Sequence, residues 1–229
     1  MYSNASDIRQ EYLDFIGQKE FPCVGAKAAL SKNQVNVFIA DHLACPHNDQ
    51  DIINFIYEFV DSSRDNNELY VTAAVVFRAP GELDEEAFEN LFWKRLQALS
   101  DIDALKYNYD ARVARNPELT DFSFSLKAEA FYVIGLSPGS SRNSRRFKYP
   151  SMVFNPHVQF DRLKEINKYE PLKHAIRNRD VLFSGSVNPM LADFGESSEA
   201  FQYTGIQHDE QWKCPFIAKH SSNDGDTAA

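Results

Sequence analysis

Cysteine is scarce in this chain of 229 residues: Cys23, Cys45 and Cys214 are the only 3. No two of them form a CxxC pair, so a zinc ribbon is excluded, and an odd, irregularly spaced set is no disulfide framework. Basic charge is also short. Lys and Arg total 24 against 33 Asp and Glu, a formal net charge of −9. A general nucleic-acid binder needs a basic surface to neutralise phosphates, so no nucleic-acid partner is expected. No apolar run approaches membrane-spanning length, and no basic stretch followed by an apolar one opens the chain. A soluble, cytoplasmic protein without a membrane partner is therefore expected. Glycine nowhere forms the GxGxxG turn of a dinucleotide fold, and the 6 histidines include no HExxH pair of a helical zinc protease.

What the chain does have is apolar and aromatic. Apolar residues make up 43% and aromatic residues 13%, with 18 phenylalanines, enough for a packed core that could also wall a flat ligand. Ile8, Tyr12, Phe15 and Ile16 share one face of a helix predicted over 6–16, with Gly17 as its stop. Val35–Ile39 and Leu69–Phe77 have the composition of strands, and 51–60 carries a wide helical stripe through Ile52, Phe55, Ile56 and Phe59. Asp84 is positioned to cap a helix bearing Phe88, Leu91, Phe92, Leu96 and Leu99. Phe122, Phe124 and Leu126 alternate with polar residues, and Phe131–Leu136 is a continuous apolar run; together they predict neighbouring antiparallel strands. Asn155 as N-cap and Pro156 at the first helical position place His157 in the first turn of a further helix, and Pro171 opens another that ends near Asp180. Strands and helices mix without strict alternation. The expected architecture is a single α+β domain over 1–217, with a mixed or mainly antiparallel sheet flanked by helices and a flexible tail over 218–229.

Several residues could carry chemistry. A histidine at a helix start is held neutral by the free N–H groups and the helix dipole, which is the form a metal requires. His157 qualifies, and a packed structural histidine is the plain alternative. Cys23 and Cys214 are rival donors, since a thiolate also binds iron. Cys45-Pro46 and Cys214-Pro215 are weaker candidates, and His42 and His47 flank Cys45 in a loop with Asp41 and Asp49. His220 falls in the tail. The stretch 137–149, with Arg142, Arg145, Arg146 and Lys148, is a basic loop suited either to solvent or to an anion.

The succession Phe21-Pro22-Cys23-Val24-Gly25-Ala26-Lys27, Asn155-Pro156-His157, Gln159-Phe160-Asp161 and Ile176-Arg177-Asn178-Arg179-Asp180 resembles the YqcI/YcgG family. So do Asn188-Pro189-Met190-Leu191, Phe194-Gly195-Glu196, Ser198-Glu199-Ala200, Gln202-Tyr203 and Trp212-Lys213-Cys214-Pro215-Phe216. The resemblance implies a haem-dependent N-oxygenase acting on arginine or a related guanidine or amine compound. Its cofactor would be haem b, its oxidant O2 or peroxide, and O2 would call for an electron donor; a homodimer is open. With haem as premise, His157 becomes the favoured axial ligand to iron over Cys23. Arg145, Arg146, Arg177 and Arg179, with Lys27 behind them, become partners for the haem propionates. Glu196 and Glu199 are candidates for the carboxylate that a guanidinium substrate would seek. The competing readings are a haem-binding or haem-sensing protein without turnover, a thiol enzyme using Cys23, and a non-haem metalloenzyme built on His42 and His47.

Overall fold

The computed structural model describes residues 4–66, 68–188, 190, 194–209 and 211–220. Residues 221–229 of the predicted tail, together with Pro189 and Leu191, lie outside the described residues.

A wide apolar stripe makes Asp49–Asn66 (α3) a crossover helix between two strands, Val35–His42 (β1) and Thr72–Ala79 (β2), which pair in parallel. Beyond β2 the sheet turns antiparallel. Ser151–Pro156 (β5) pairs with β2, Glu129–Leu136 (β4) with β5, and Phe124–Leu126 (β3) with β4, giving the order β1-β2-β5-β4-β3. The expected α+β domain with a mixed sheet is what the chain forms. Both faces of the central strands are apolar because helices cover both, so these segments lose the alternation of a half-exposed sheet. Ala73, Val75, Phe77, Val133, Met152 and Phe154 face α3 and Glu85–Asp103 (α4). Ala74, Val76, Leu136 and Val153 face Ala5–Gly17 (α1), and Val24–Ser31 (α2) flanks the same side. Asp84 caps α4 as predicted, its Oδ1 accepting the Ala87 N–H at 2.7 Å. At Gly135 a Cβ would lie 2.9 Å from the Phe88 ring, so the missing side chain lets α4 approach the sheet.

Sequence and structure differ at the junction after β5. Asn155 is the penultimate residue of that strand, where its side chain donates to the Tyr132 carbonyl at 3.2 Å. The helix His157–Glu165 (α5) starts one residue later than predicted, with Pro156 in the cap position. Pro171 lies inside the first turn of Tyr169–Ser184 (α6), where a missing N–H costs no helical bond. The short helix Ala200–Tyr203 (α7) completes the set.

The predicted tail boundary at 218 also shifts. His220 is 3% exposed, and its Nε2 lies 2.9 Å from Asp103 Oδ2. The other Asp103 oxygen accepts from Tyr57 Oη at 2.7 Å and from the Lys127 N–H at 2.9 Å. Lys127 and Ala128 form the two-residue turn between β3 and β4, both with positive φ, a conformation that side-chain-bearing residues resist. Arg64 donates to both of their carbonyls at 3.0 and 2.9 Å. Asp103 and Arg64 thus hold a strained turn in place. Replacing Asp103 by Ala leaves buried donors from three separate elements unpaired, and should lower unfolding free energy by about 3–5 kcal/mol in urea titration. Loss of the Asp84 cap in Asp84→Ala should cost about 1 kcal/mol in the same measurement.

Candidate functional site

A cavity of about 350 Å³ is walled by the sheet face carrying Tyr132, Ile134, Val153 and Asn155 and by residues of α1, α2, α5 and α6. That size and mostly apolar lining suit a small-molecule or cofactor site. Three kinds of polar group punctuate the wall.

The first is a cluster around His157. The strand-to-helix junction at Pro156 sets this residue at the start of α5, where its ring lines the cavity and meets the Phe194 ring edge-on at 5.1 Å. Its Nε2 lies 3.0 Å from Glu199 Oε1, 3.2 Å from Oε2, and 3.0 Å from Ser123 Oγ. Glu199 is 4% exposed, and its Oε2 also lies 2.9 Å from Ser123 Oγ and 3.2 Å from Tyr203 Oη. Both hydroxyls reach the Phe131 carbonyl, at 3.0 and 3.1 Å, and Tyr203 accepts the Phe124 N–H at 3.0 Å. Burial and the neighbouring Glu199 charge push the Tyr203 phenol well above its ordinary range, so it stays protonated. Ser, His and Glu here do not make an acyl-transfer triad, because serine and carboxylate meet the same ring nitrogen instead of opposite ones.

The second group is Arg145, buried in the wall and without a carboxylate partner among the described residues. Its guanidinium donates to the carbonyls of Gly135 and Tyr203 at 3.1 and 3.0 Å and of Gln202 at 3.1 Å. Gly205, with φ +79°, lets the chain pass this side chain; a Cβ there would be 3.2 Å from Arg145 Cγ. Burial lowers the Arg145 pKa from its usual value, with no effect on its charge at neutral pH. Nearby, Arg142 pairs with Asp180 at 2.6 Å and donates to the Ser186 carbonyl at 2.7 Å.

The third group is Cys23. It is the N-cap of α2, and its Sγ accepts the Ala26 N–H at 3.3 Å while lining the cavity. Burial raises its pKa, opposed by hydrogen bonds from the Ala26 and Gly25 backbone and by the Arg145 charge.

Of the residues singled out in sequence, His157, Cys23, Arg145, Arg177 and Glu199 therefore share one cavity wall. Arg142 lines it too, paired with Asp180, whereas Arg146, Arg179, Lys27, Glu196, His42, His47, Cys45 and Cys214 do not. Arg146 donates to the carbonyls of Ser140 and Ser141, Arg179 to that of Phe21 at 3.0 Å, and Lys27 to that of Lys19 at 2.8 Å. These bonds stitch loops together. Glu196 is exposed. His42 Nδ1 accepts the Ala44 N–H, Cys45 is exposed, and among the described residues no three His, Cys, Asp or Glu side chains come together as a metal site. Cys214 packs against the core beneath α4, where burial pushes its thiol up to about 12. Sequence reasoning missed Ser123 and Tyr203. The signal for Ser123 was its place between two apolar alternates, which looks like a solvent-facing position until a helix is known to cover that face.

The described helices include none long and apolar enough to cross a membrane. No solved structure matches the chain. The Bacillus subtilis (strain 168) protein YcgG, named as uncharacterized, is 28% identical over 207 residues, spanning 86% of this chain and 80% of its own. YqcI of the same strain, also named as uncharacterized, is 26% identical over 215 residues, spanning 88% of this chain and 83% of its own. The model of one family matches residues 12–217, a stretch that holds every cavity group described above, and on that match the chain belongs to the YqcI/YcgG family.

Proposed function

We propose that the chain is a haem-dependent oxygenase that hydroxylates a nitrogen of a small nitrogen-rich substrate, arginine or another guanidine or amine compound. The observation that supports this best is the gathering, in one apolar cavity, of a soft iron donor and a buried guanidinium. The donor set suits haem b. A tetrapyrrole wants apolar and aromatic walls, its iron wants a thiolate or an imidazole, and its propionates want arginine. Bound haem would supply oxygen activation, drawing on O2 and an external electron donor or on peroxide. With O2 the balance is one N–H, one O2, two electrons and two protons in, and one N–OH and one water out.

The side chains divide the remaining work. Arg145 and Arg177 line the wall and would face the haem propionates. Tyr132, Phe160 and Leu163 exclude water. For the axial donor the geometry favours Cys23 over His157. Glu199 and Ser123 hold the Nε2 of His157, which leaves Nδ1 as its donor atom; Cys23 Sγ lines the cavity and receives backbone N–H groups at a helix start, as a bound thiolate needs, and on that ground we take Cys23. A thiol that ligates a metal is deprotonated by it, so the raised pKa would not prevent Cys23 from holding the iron. As a thiolate, Cys23 would supply electron density to the bound group. The same raised pKa argues against a free-thiol nucleophile, which must be ionised to react.

Haemin added to the full chain should bind stoichiometrically and give a Soret band. Cys23→Ser should move the carbon monoxide band of the reduced protein, while His157→Gln should leave it in place; the reverse pattern would assign the iron to His157. Supplied with L-arginine, O2 and a reductant, the loaded protein should form a product heavier by one oxygen, detected by mass spectrometry. Haem binding without any such product from a panel of guanidines and amines would leave a haem-binding or haem-sensing role.

A further inference from the structure

The cluster around Glu199 fixes where the protons of His157 sit. Ser123 and Tyr203 carry one hydroxyl proton each, and two acceptors within reach claim them, the Phe131 carbonyl and Glu199 Oε2. Each hydroxyl thus has acceptors other than His157 Nε2. A bare lone pair on Nε2 would then face a carboxylate oxygen at 3.0 Å, a repulsive contact that a proton on Nε2 converts into a charge-assisted hydrogen bond. The neutral ring accordingly keeps its lone pair at Nδ1. That atom has no hydrogen bond among the described residues and is not among the occluded polar atoms that lack a partner, so it is open, on a ring that lines the cavity. Behind the ring, among the described residues Glu199 has no Lys or Arg side chain as a partner, only His157 and the hydroxyls of Ser123 and Tyr203. With the ring neutral and Glu199 ionised, the unit carries one negative charge and presents an acceptor.

We infer that His157, oriented by Glu199, is the cavity's acceptor for an N–H group of a cationic ligand, a guanidinium or an ammonium. The assignment rests on the reading above only in taking this cavity as the substrate site. His157 touches the ligand; Glu199 is a positioning residue that fixes the tautomer and supplies the charge. A ligand with a neutral ureido group in place of guanidinium lacks the charge that this unit attracts, and a Gln in place of Glu199 keeps an acceptor but removes the charge.

The test begins with the full chain before haem is added. Side-chain 1H–15N spectra, assigned with His157→Gln, should show His157 as the Nε2–H tautomer; an Nδ1–H tautomer overturns the inference with no variant needed. L-arginine binding by calorimetry is then compared with that of L-citrulline, its ureido isostere. Wild type should favour arginine by about tenfold or more. Glu199→Gln should erase most of that preference and perturb the His157 ring signals. Equal affinity for the two probes, or a preference that survives Glu199→Gln in a protein with native circular dichroism, overturns it. Haem loading, followed separately by the Soret band, reports on the oxygenase reading. If haem fails to bind while the tautomer and arginine preference hold, only that reading falls. If His157→Gln abolishes the native iron spectrum, His157 is an iron ligand and the present inference falls.

Discussion

A carboxylate withdrawn from water is stable only if donors surround it, and Glu199 meets that condition by drawing on separate pieces of the fold. Its partners come from the segment before β3, from the start of α5 and from α7, and the shared Phe131 carbonyl comes from β4. Each donor alone contributes modestly, and the cost of leaving the charge unpaired is what binds them together. The cluster therefore fixes the relation of α5 and α7 to the sheet edge at β3 and β4. It also sets the face of His157 that the cavity sees. Packing and chemistry have a single cause here.

Arg145 is the counterpart of opposite sign. Its three carbonyl acceptors lie in β4 and in α7, so it clamps the C-terminal end of α7 to the same strand that the Glu199 cluster holds through Phe131. Residues 199–205 are thus anchored by a buried anion at one end and onto a buried cation at the other. The glycine at 205 follows from this arrangement, since a side chain there would strike the arginine.

Much of this was legible in the chain. The crossover helix, the α4 cap at Asp84 and the β3–β4 pairing follow from periodicity and capping chemistry, because local rules decide them. The missed strand β5 is instructive. Ser151-Met152-Val153-Phe154 is a short apolar run bounded by two prolines, and nothing local separates a buried strand from a helix start in such a run. It is the sheet, by supplying β2 and β4 on either side, that decides. His220 was misassigned for a related reason. A polar, charged surrounding resembles a tail, and only the distant Asp103 carboxylate makes burial favourable. The site shows the same division. The family blocks contained Cys23, His157, Arg177 and Glu199, but no spacing in the chain indicates that Ser123 and Glu199 share one nitrogen of His157, or that Arg146 and Arg179 turn away from the cavity.

The two buried charges share a cavity without neutralising each other, and that separation is what makes the cavity useful. Had Arg145 and Glu199 met as an ion pair, each would have spent its field on the other and the wall would be effectively neutral. Instead Arg145 is satisfied by carbonyl dipoles and Glu199 by hydroxyls and an imidazole, all uncharged groups. Hydrogen bonding covers the desolvation of each charge with no ion pair between the two, and in an enclosed apolar space such fields act strongly on whatever enters. On the proposed reading, such a wall would select a ligand carrying an anionic end and a cationic end, or two ligands of opposite charge side by side. The acidic surface of the chain plays no part in that selection, because its charges are screened by water and salt while these two are not.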